Sequence, residues 1–237
     1  KYLVPWQKSK VEDWRTVSAM IEGDKGGLIF QPNIRQGCVY ENVAQLDYSQ
    51  MYPSIMVNHN ISPESVNCEC CANDPNVPQT PESKWRICIR REGVVAQTLR
   101  HVLARRKHYK TQLKRGDNAE TEAKQSALKW LLVTSFGYLG YRNAKFGRLE
   151  SHESVTSFGR EILLRAKELS EEAGFEFLHA ITDSIFIRNA DGSPIEPARL
   201  QELCDRIFVE TGIEMAIEGV YLWSIFLPSK IDERESV

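Results

Sequence analysis

The stretch YENVAQLDYSQMYPSI, residues 40–55, decides how the rest of the chain is read. Val43 and Leu46 flank polar residues, so a strand is expected over Tyr40–Asp47. An acid closes that strand, and the chain turns at once into a short helix. Free backbone N–H groups at such a turn suit phosphate oxygens, and the carboxylate can hold a cation beside them. An Asp at this position is more often a plain helix cap. The stretch alone leaves both readings open.

Upstream, residues 1–25 are mixed in character, with a helix expected around Val11–Glu22 and a β-like stretch at Leu28–Phe30 after Gly26-Gly27. Downstream, Pro53 and Asn58-His59-Asn60 punctuate the chain. Residues 68–84 hold Pro75, Pro78 and Pro81, with Pro63 shortly before, and read as a loop, the best candidate for a mobile insertion. Two long helical patterns follow. Val94–Lys114 carries Val95, Leu99, Val102 and Leu103 on one stripe. Ala119–Phe136 carries Ala123, Ala127, Leu128, Leu131 and Leu132 on another. The short turn at residues 115–118 makes them an antiparallel hairpin. A third helix, Ser154–Glu172, turns Val155, Phe158, Ile162, Leu163, Ala166 and Leu169 inward and stops at Gly174.

After it, Phe175–Ala180, a Thr182-Asp183 corner and Ile185–Arg188 form a β-hairpin. A helix near Pro197–Glu210 and two strands, Ile213–Glu218 and Tyr221–Leu227, complete the reading. Strands interleaved with helices suggest an α+β fold, an antiparallel sheet with helices on one face and a projecting helical hairpin.

Composition excludes several classes. At 237 residues with 42% hydrophobic and 26% charged side chains, the chain is too apolar for disorder, and no apolar run approaches the roughly 18 residues of a membrane span. No charged-then-apolar leader follows Lys1, so no secretion signal is expected, and the absence of an initial Met suggests an excised or processed piece. The net charge of −2 argues against a nucleic-acid partner until its distribution is considered. Between Lys84 and Arg115 stand eleven Lys or Arg and one acid, Glu92; the remaining residues carry 19 bases and 31 acids. Such a block is either a solvated helix face or a surface for phosphates.

Six cysteines are too few for a disulfide scaffold at this length. The one grouping is Cys68, Cys70 and Cys71 with Cys88. Zinc sites favour paired thiolates two to four residues apart. Here the spacing is irregular and the second pair is missing. Buried thiols or one disulfide are therefore expected ahead of a zinc-organised module.

Two further constellations carry chemistry. Thr182-Asp183-Ser184 is an ordinary turn unless the fold brings Asp183 beside Asp47; two carboxylates sharing a pair of divalent ions are what nucleotidyl transfer requires. Arg106 and Lys110 are four residues apart on one helix and share a face, with Lys129 on the partner helix. Three converging cations could grip a triphosphate, and a solvated face is the alternative.

In these motifs the sequence resembles the palm and fingers of a family B DNA polymerase. Asp47–Ile55 matches the family's first palm motif, followed as there by Asn60-Ile61-Ser62-Pro63. Lys129 through Val133, Thr134, Phe136, Gly137 and Tyr138 matches the fingers motif. Val155-Thr156 with Gly159-Arg160, then Thr182-Asp183-Ser184, then Glu218-Gly219 with Tyr221, continue the order. The resemblance implies residues 1–92 and 138–237 as the two parts of a palm and 93–137 as fingers.

It further implies that Asp47 and Asp183 bind two Mg²⁺ or Mn²⁺ ions and are catalytic. Backbone at Gln50 and Met51 would meet the triphosphate. Tyr52 would sit under the sugar and reject a 2′-hydroxyl, while Arg106, Lys110 and Lys129 would hold phosphates. The implied partners are primer-template DNA, deoxynucleoside triphosphates and other polymerase domains or subunits supplying thumb and exonuclease. Neither of those is recognised within the 237 residues. The implied setting is the cytoplasm of an archaeon or bacterium, associated with the nucleoid.

The departures are specific. Ile181 stands where the family has an Asp, Val133 and Phe136 where it has Asn and Tyr, and Gln50 where it has Ser. The chain is most similar to a divergent archaeal and bacterial branch with eroded motifs. Reduced or specialised DNA synthesis is expected, and a degenerate DNA-binding scaffold is the alternative.

Overall fold

A computed structural model describes residues 26–31, 39–116, 119–141 and 143–227. The helix expected over Val11–Glu22 lies outside them. The described strands are β1 (Ile29–Phe30), β2 (Val39–Tyr48), β3 (Phe175–Ile181), β4 (Ser184–Asn189) and β5 (Met215–Ile225). The described α-helices are α1 (Met51–Asn58), α2 (Val94–Lys114), α3 (Ala119–Gly140), α4 (Leu149–Glu172) and α5 (Pro197–Thr211). The chain divides into two compact units. Of the described residues, one holds 27–51 and 159–227; the other holds 26 and 52–158. No described helix is long and apolar enough to cross a membrane.

The first unit is built on one antiparallel sheet of order β1-β3-β4-β2-β5. Alternation along β2 separates its two faces. Ala44 and Leu46 pair with Ile187 and Ile185 of β4, and all four are buried. Tyr48 continues this face, its hydroxyl donating to the Ile162 carbonyl of α4 at 3.3 Å. Asp47 lies between Leu46 and Tyr48 and so points to the opposite face. On that side a cluster of Tyr40, Val43, Leu178 and Phe226, with Phe186 packed against it, covers the far end of the sheet.

The C-terminal half of α4 and α5 are joined by ion pairs, Arg165 to Glu210 at 3.5 Å and Arg206 to Glu172. Their ends follow the glycines. Gly174 follows α4 at φ 82°, and Gly212 closes α5 at φ 70°, its N–H returning to the Phe208 carbonyl. The two strands expected over Ile213–Glu218 and Tyr221–Leu227 are one strand, β5. Its register against β2 slips between Gln45 and Leu46, which pair with Gly219 and Ile217. Glu218 is the unpaired extra residue. A bulge here does what a turn would have done to the sequence pattern, without ending the strand.

The second unit contains α1 from Tyr52, the hairpin α2–α3, the cysteine segment and the first part of α4. The hairpin has the expected boundaries at Val94, Lys114 and Ala119, and α3 runs four residues further, to Gly140. Lys114 in the last turn of α2 and Glu120 and Glu122 in the first turn of α3 suit the helix dipoles. Burial is narrower than the expected stripes. Ala96, Leu99 and Arg106 are buried on α2, and Thr121, Leu132 and Leu139 on α3, while Trp130, Leu131 and Val133 are exposed. Two helices that pack chiefly on each other hide only the seam between them.

The start of α2 is capped by residues distant in sequence. Asn60 Oδ1 accepts the Gly93 N–H at 2.7 Å, Glu64 Oε1 accepts that of Val94 at 2.5 Å, and Ser62 Oγ accepts those of Val95 and Ala96 at 3.0 and 3.2 Å. These bonds take up N–H donors that a helix start leaves unsatisfied. A Cβ on Gly93 would come within 2.4 Å of the Ser62 side chain, so only glycine fits there.

Candidate active site

The site begins where β2 and β4 run out. Asp47 pairs in register with Ser184, and the Tyr48 N–H donates to the Asp183 carbonyl at 2.9 Å. These backbone bonds bring two acids 136 positions apart to one end of the sheet. Thr182 and Asp183 form the whole turn between Ile181 and Ser184. Thr182 adopts φ +55°, a conformation uncommon for a β-branched residue. Two bonds hold it there: the Thr182 N–H reaches the Leu28 carbonyl at 3.0 Å, and the Asp183 N–H bonds Ile181 across the turn at 2.6 Å.

The carboxylates have unlike surroundings. Ser184 Oγ donates to Asp47 Oδ1 at 2.5 Å. Burial, and then the negative charge of Asp47, push Asp183 up to about 6. Two acids pressed together in this way form an oxygen-only donor set suited to a hard cation such as Mg²⁺. Ile181, 43% exposed at the end of β3, adds a hydrocarbon side chain at the corner and no donor.

Next along the chain, the Ser49 N–H is taken by the Glu214 carbonyl at 2.8 Å. Gln50 then adopts φ +56°, and its buried Oε1 accepts no hydrogen bond among the described residues. Met51 opens α1, where helix geometry leaves the first N–H groups without an intrahelical acceptor.

In the second unit, the Tyr52 ring packs on Phe136 of α3 at 4.3 Å between centroids, and Phe136 stacks on His152 of α4 at 4.2 Å. Phe136 therefore lies against the residue expected to read the sugar. Of the three expected phosphate ligands, Lys110 and Lys129 are exposed on α2 and α3. Arg106 is buried, and its Nε donates to Gln125 Oε1 of α3 at 2.9 Å. Burial lowers its pKa. Gln125 and Lys129 are one turn apart on α3, so this bond sets Arg106 on the same face as Lys129.

Sequence reasoning missed three contributors: Ser184 as the partner of Asp47, Gln125 as the partner of Arg106, and Asn60, Ser62 and Glu64 as the cap of α2. Asn60 and Ser62 fall within a quoted motif, which was the available signal. Gln125 carried none.

The chain is similar to known proteins over most of its length. Residues 1–221 match the family model for DNA polymerase family B. The chain is 36% identical over 226 residues to DNA polymerase 2 of Saccharolobus solfataricus, covering 95% of this chain and 32% of that protein. It is 30% identical to a DNA polymerase of Desulfurococcus sp. (strain Tok), covering 95% of this chain and 30% of that one. The solved family B DNA polymerase of Pyrobaculum calidifontis superposes with a TM-score of 0.70 at 30% identity, over 87% of this chain and 26% of the other. The chain thus spans about a third of the length of these curated relatives. The family expected from the ordered motifs is the one found, and the chain belongs to DNA polymerase family B.

Proposed function

We propose that these residues are the palm and fingers portion of a DNA-directed DNA polymerase that adds deoxynucleotides to a primer with two divalent ions and at a reduced rate. The observation that carries this reading is the convergence of Asp47 and Asp183 at one end of the sheet, with Asp183 held up to about 6 by burial and its neighbour's charge. Residues 1–92 and 138–237 serve as palm, and 93–137 as fingers.

Asp47 and Asp183 would hold Mg²⁺ or Mn²⁺, which supplies activation of the primer 3′-hydroxyl and charge neutralisation at the phosphates. The rest of the work falls to the chain. The β2–β4 ladder keeps both carboxylates in place before substrate arrives, so little ordering is needed at the moment of reaction. The Ser184 hydroxyl, donating to Asp47 Oδ1, keeps that carboxylate aimed. The N–H groups at Gln50 and Met51 meet triphosphate oxygens at the start of α1. Lys110 and Lys129 neutralise phosphate charge, and Arg106, oriented by Gln125, adds a planar donor. The Tyr52 ring, backed by Phe136, sits under the sugar and leaves no room for a 2′-hydroxyl.

The reduced rate follows from Ile181, which supplies no carboxylate where most of the family has one. The same observation favours the alternative, a palm that holds DNA without chemistry. Primer extension by the intact protein, compared with its Asp183→Ala variant, decides between them. The expected result is a loss of about 10³-fold, equivalent to roughly 4 kcal/mol of transition-state stabilisation. Equal incorporation by both proteins would overturn the catalytic assignment.

A further inference from the structure

The segment between α1 and α2 reads as a proline-rich loop, and its structure is organised around sulfur. Cys68, Cys71 and Cys88 are buried and Cys70 is half-buried. Their four Sγ atoms all lie within 4.8 Å of one another. Cys70 Sγ is 3.3 Å from that of Cys68, 3.8 Å from Cys71 and 3.6 Å from Cys88, and Cys71 lies 3.8 Å from Cys88. A disulfide would require about 2.05 Å. Four thiolates on a zinc ion, each at about 2.3 Å, form a tetrahedron whose corners are about 3.8 Å apart. The observed spacings scatter around that value. They are too short for the thiolates to enclose a polynuclear cluster.

We propose that Cys68, Cys70, Cys71 and Cys88 are the four ligands of a structural zinc centre. The missing second pair that counted against zinc in the sequence is supplied by the fold. The Val66–Ile87 bridge and the Cys88 N–H, which donates to the Ser65 carbonyl at 2.9 Å, return Cys88 to the other three. Cys68 leads into the short 3₁₀ turn Glu69–Cys71, which presents two more sulfurs. All four donors are soft, and a closed thiolate tetrahedron selects zinc over the hard ions suited to Asp47 and Asp183.

The Cys88 sulfur also accepts the backbone N–H groups of Arg90 and Arg91, which suits a thiolate held on a metal. Lys84, Arg86, Arg90 and Arg91 in the same segment offset the two negative charges of a tetrathiolate zinc.

The centre also has something to hold. Beyond the 3₁₀ turn and two isolated bridges the described segment has no regular structure, and between Cys68 and Cys88 its buried aliphatic residues are Val77 and Ile87. That is little burial for a stretch of this length. Metal binding would supply the missing stability. The Cys88 carbonyl accepts from Asn60 Nδ2 at 2.8 Å, and Asn60 also caps α2 through Gly93. The zinc therefore pins the base of the first fingers helix.

The test is elemental analysis of the intact protein, purified reduced and without chelator. One zinc per chain is expected, falling well below stoichiometric in Cys70→Ser and Cys88→Ser. Cys204→Ser, a buried cysteine on α5, should keep its zinc. Should the serine variants fail to fold, Co²⁺ exchange into the unsubstituted protein decides. The expected spectrum has thiolate-to-cobalt charge transfer and the intense d–d bands of a tetrahedral site. Two results would overturn the proposal: no metal taken up from added Zn²⁺ or Co²⁺ under reducing conditions, or a native disulfide joining Cys88 to another of the four. Both readouts are independent of primer extension, so failure here leaves the polymerase reading intact.

Discussion

The carboxylate corner and the aromatic stack at Tyr52 are positioned by different physics. Asp47 and Asp183 are held by a backbone ladder, with strand register and a two-residue turn fixing their Cα positions whatever the neighbouring side chains. Tyr52 is held by side chains, through Phe136 and His152, each on a different helix. A backbone-fixed site tolerates replacement of an adjacent residue without moving, so Ile181 can stand at the corner while the ladder stays whole. A packed stack transmits a substitution to its neighbours. Phe136 supplies the ring that the stack needs, and a hydroxyl on it would add nothing to the stack.

Three measurements sharpen this contrast. The largest effect is expected at the stack. Tyr52→Ala should relax discrimination between deoxy- and ribonucleotides by about 10²-fold, read as the ratio of kcat/KM values. Unchanged discrimination would show that the sugar is read elsewhere. A smaller effect is expected at the corner. Ile181→Asp should raise extension by about tenfold, because it adds a donor to a scaffold already in place. No gain, with the fold intact, would mean that the ladder alone does not set the site.

The smallest effect concerns pH. Asp183 binds its proton more readily in the folded chain, so the folded state holds more protons between the ordinary carboxylate range and about pH 6. Metal-free stability should therefore fall as pH rises through that window and level off above it. Asp183→Asn should flatten the profile, as followed by thermal denaturation of the intact protein in chelator. A parallel profile in the variant would place the titrating group elsewhere.

Much of the fold was legible because its elements are local. The 3.6-residue period gave the ends of α2 to the residue, and Gly174 marked the end of α4. The strand-turn-helix at Asp47 and the Thr182-Asp183 corner were recognisable from motif and turn chemistry. Harder to read was whatever depends on a distant partner. The Glu218 bulge looked like a break between two strands, because a bulge is defined only against β2. The outward apolar face of α3 was expected inside, because periodicity reports which residues share a face and not how much of that face is covered. The bond of Arg106 to Gln125 required the hairpin to close.

Local residue chemistry, then, settled the family and most of the order of elements, since each is encoded within a few consecutive residues. Tertiary structure decided which groups meet: Asp47 with Asp183 and Ser184, Arg106 with Gln125, Asn60 with the start of α2, and four sulfurs at the spacing of a single ion. Those meetings depend on strand register and chain return over tens of residues or more, where a shift of one position would part the groups, and no local pattern records it.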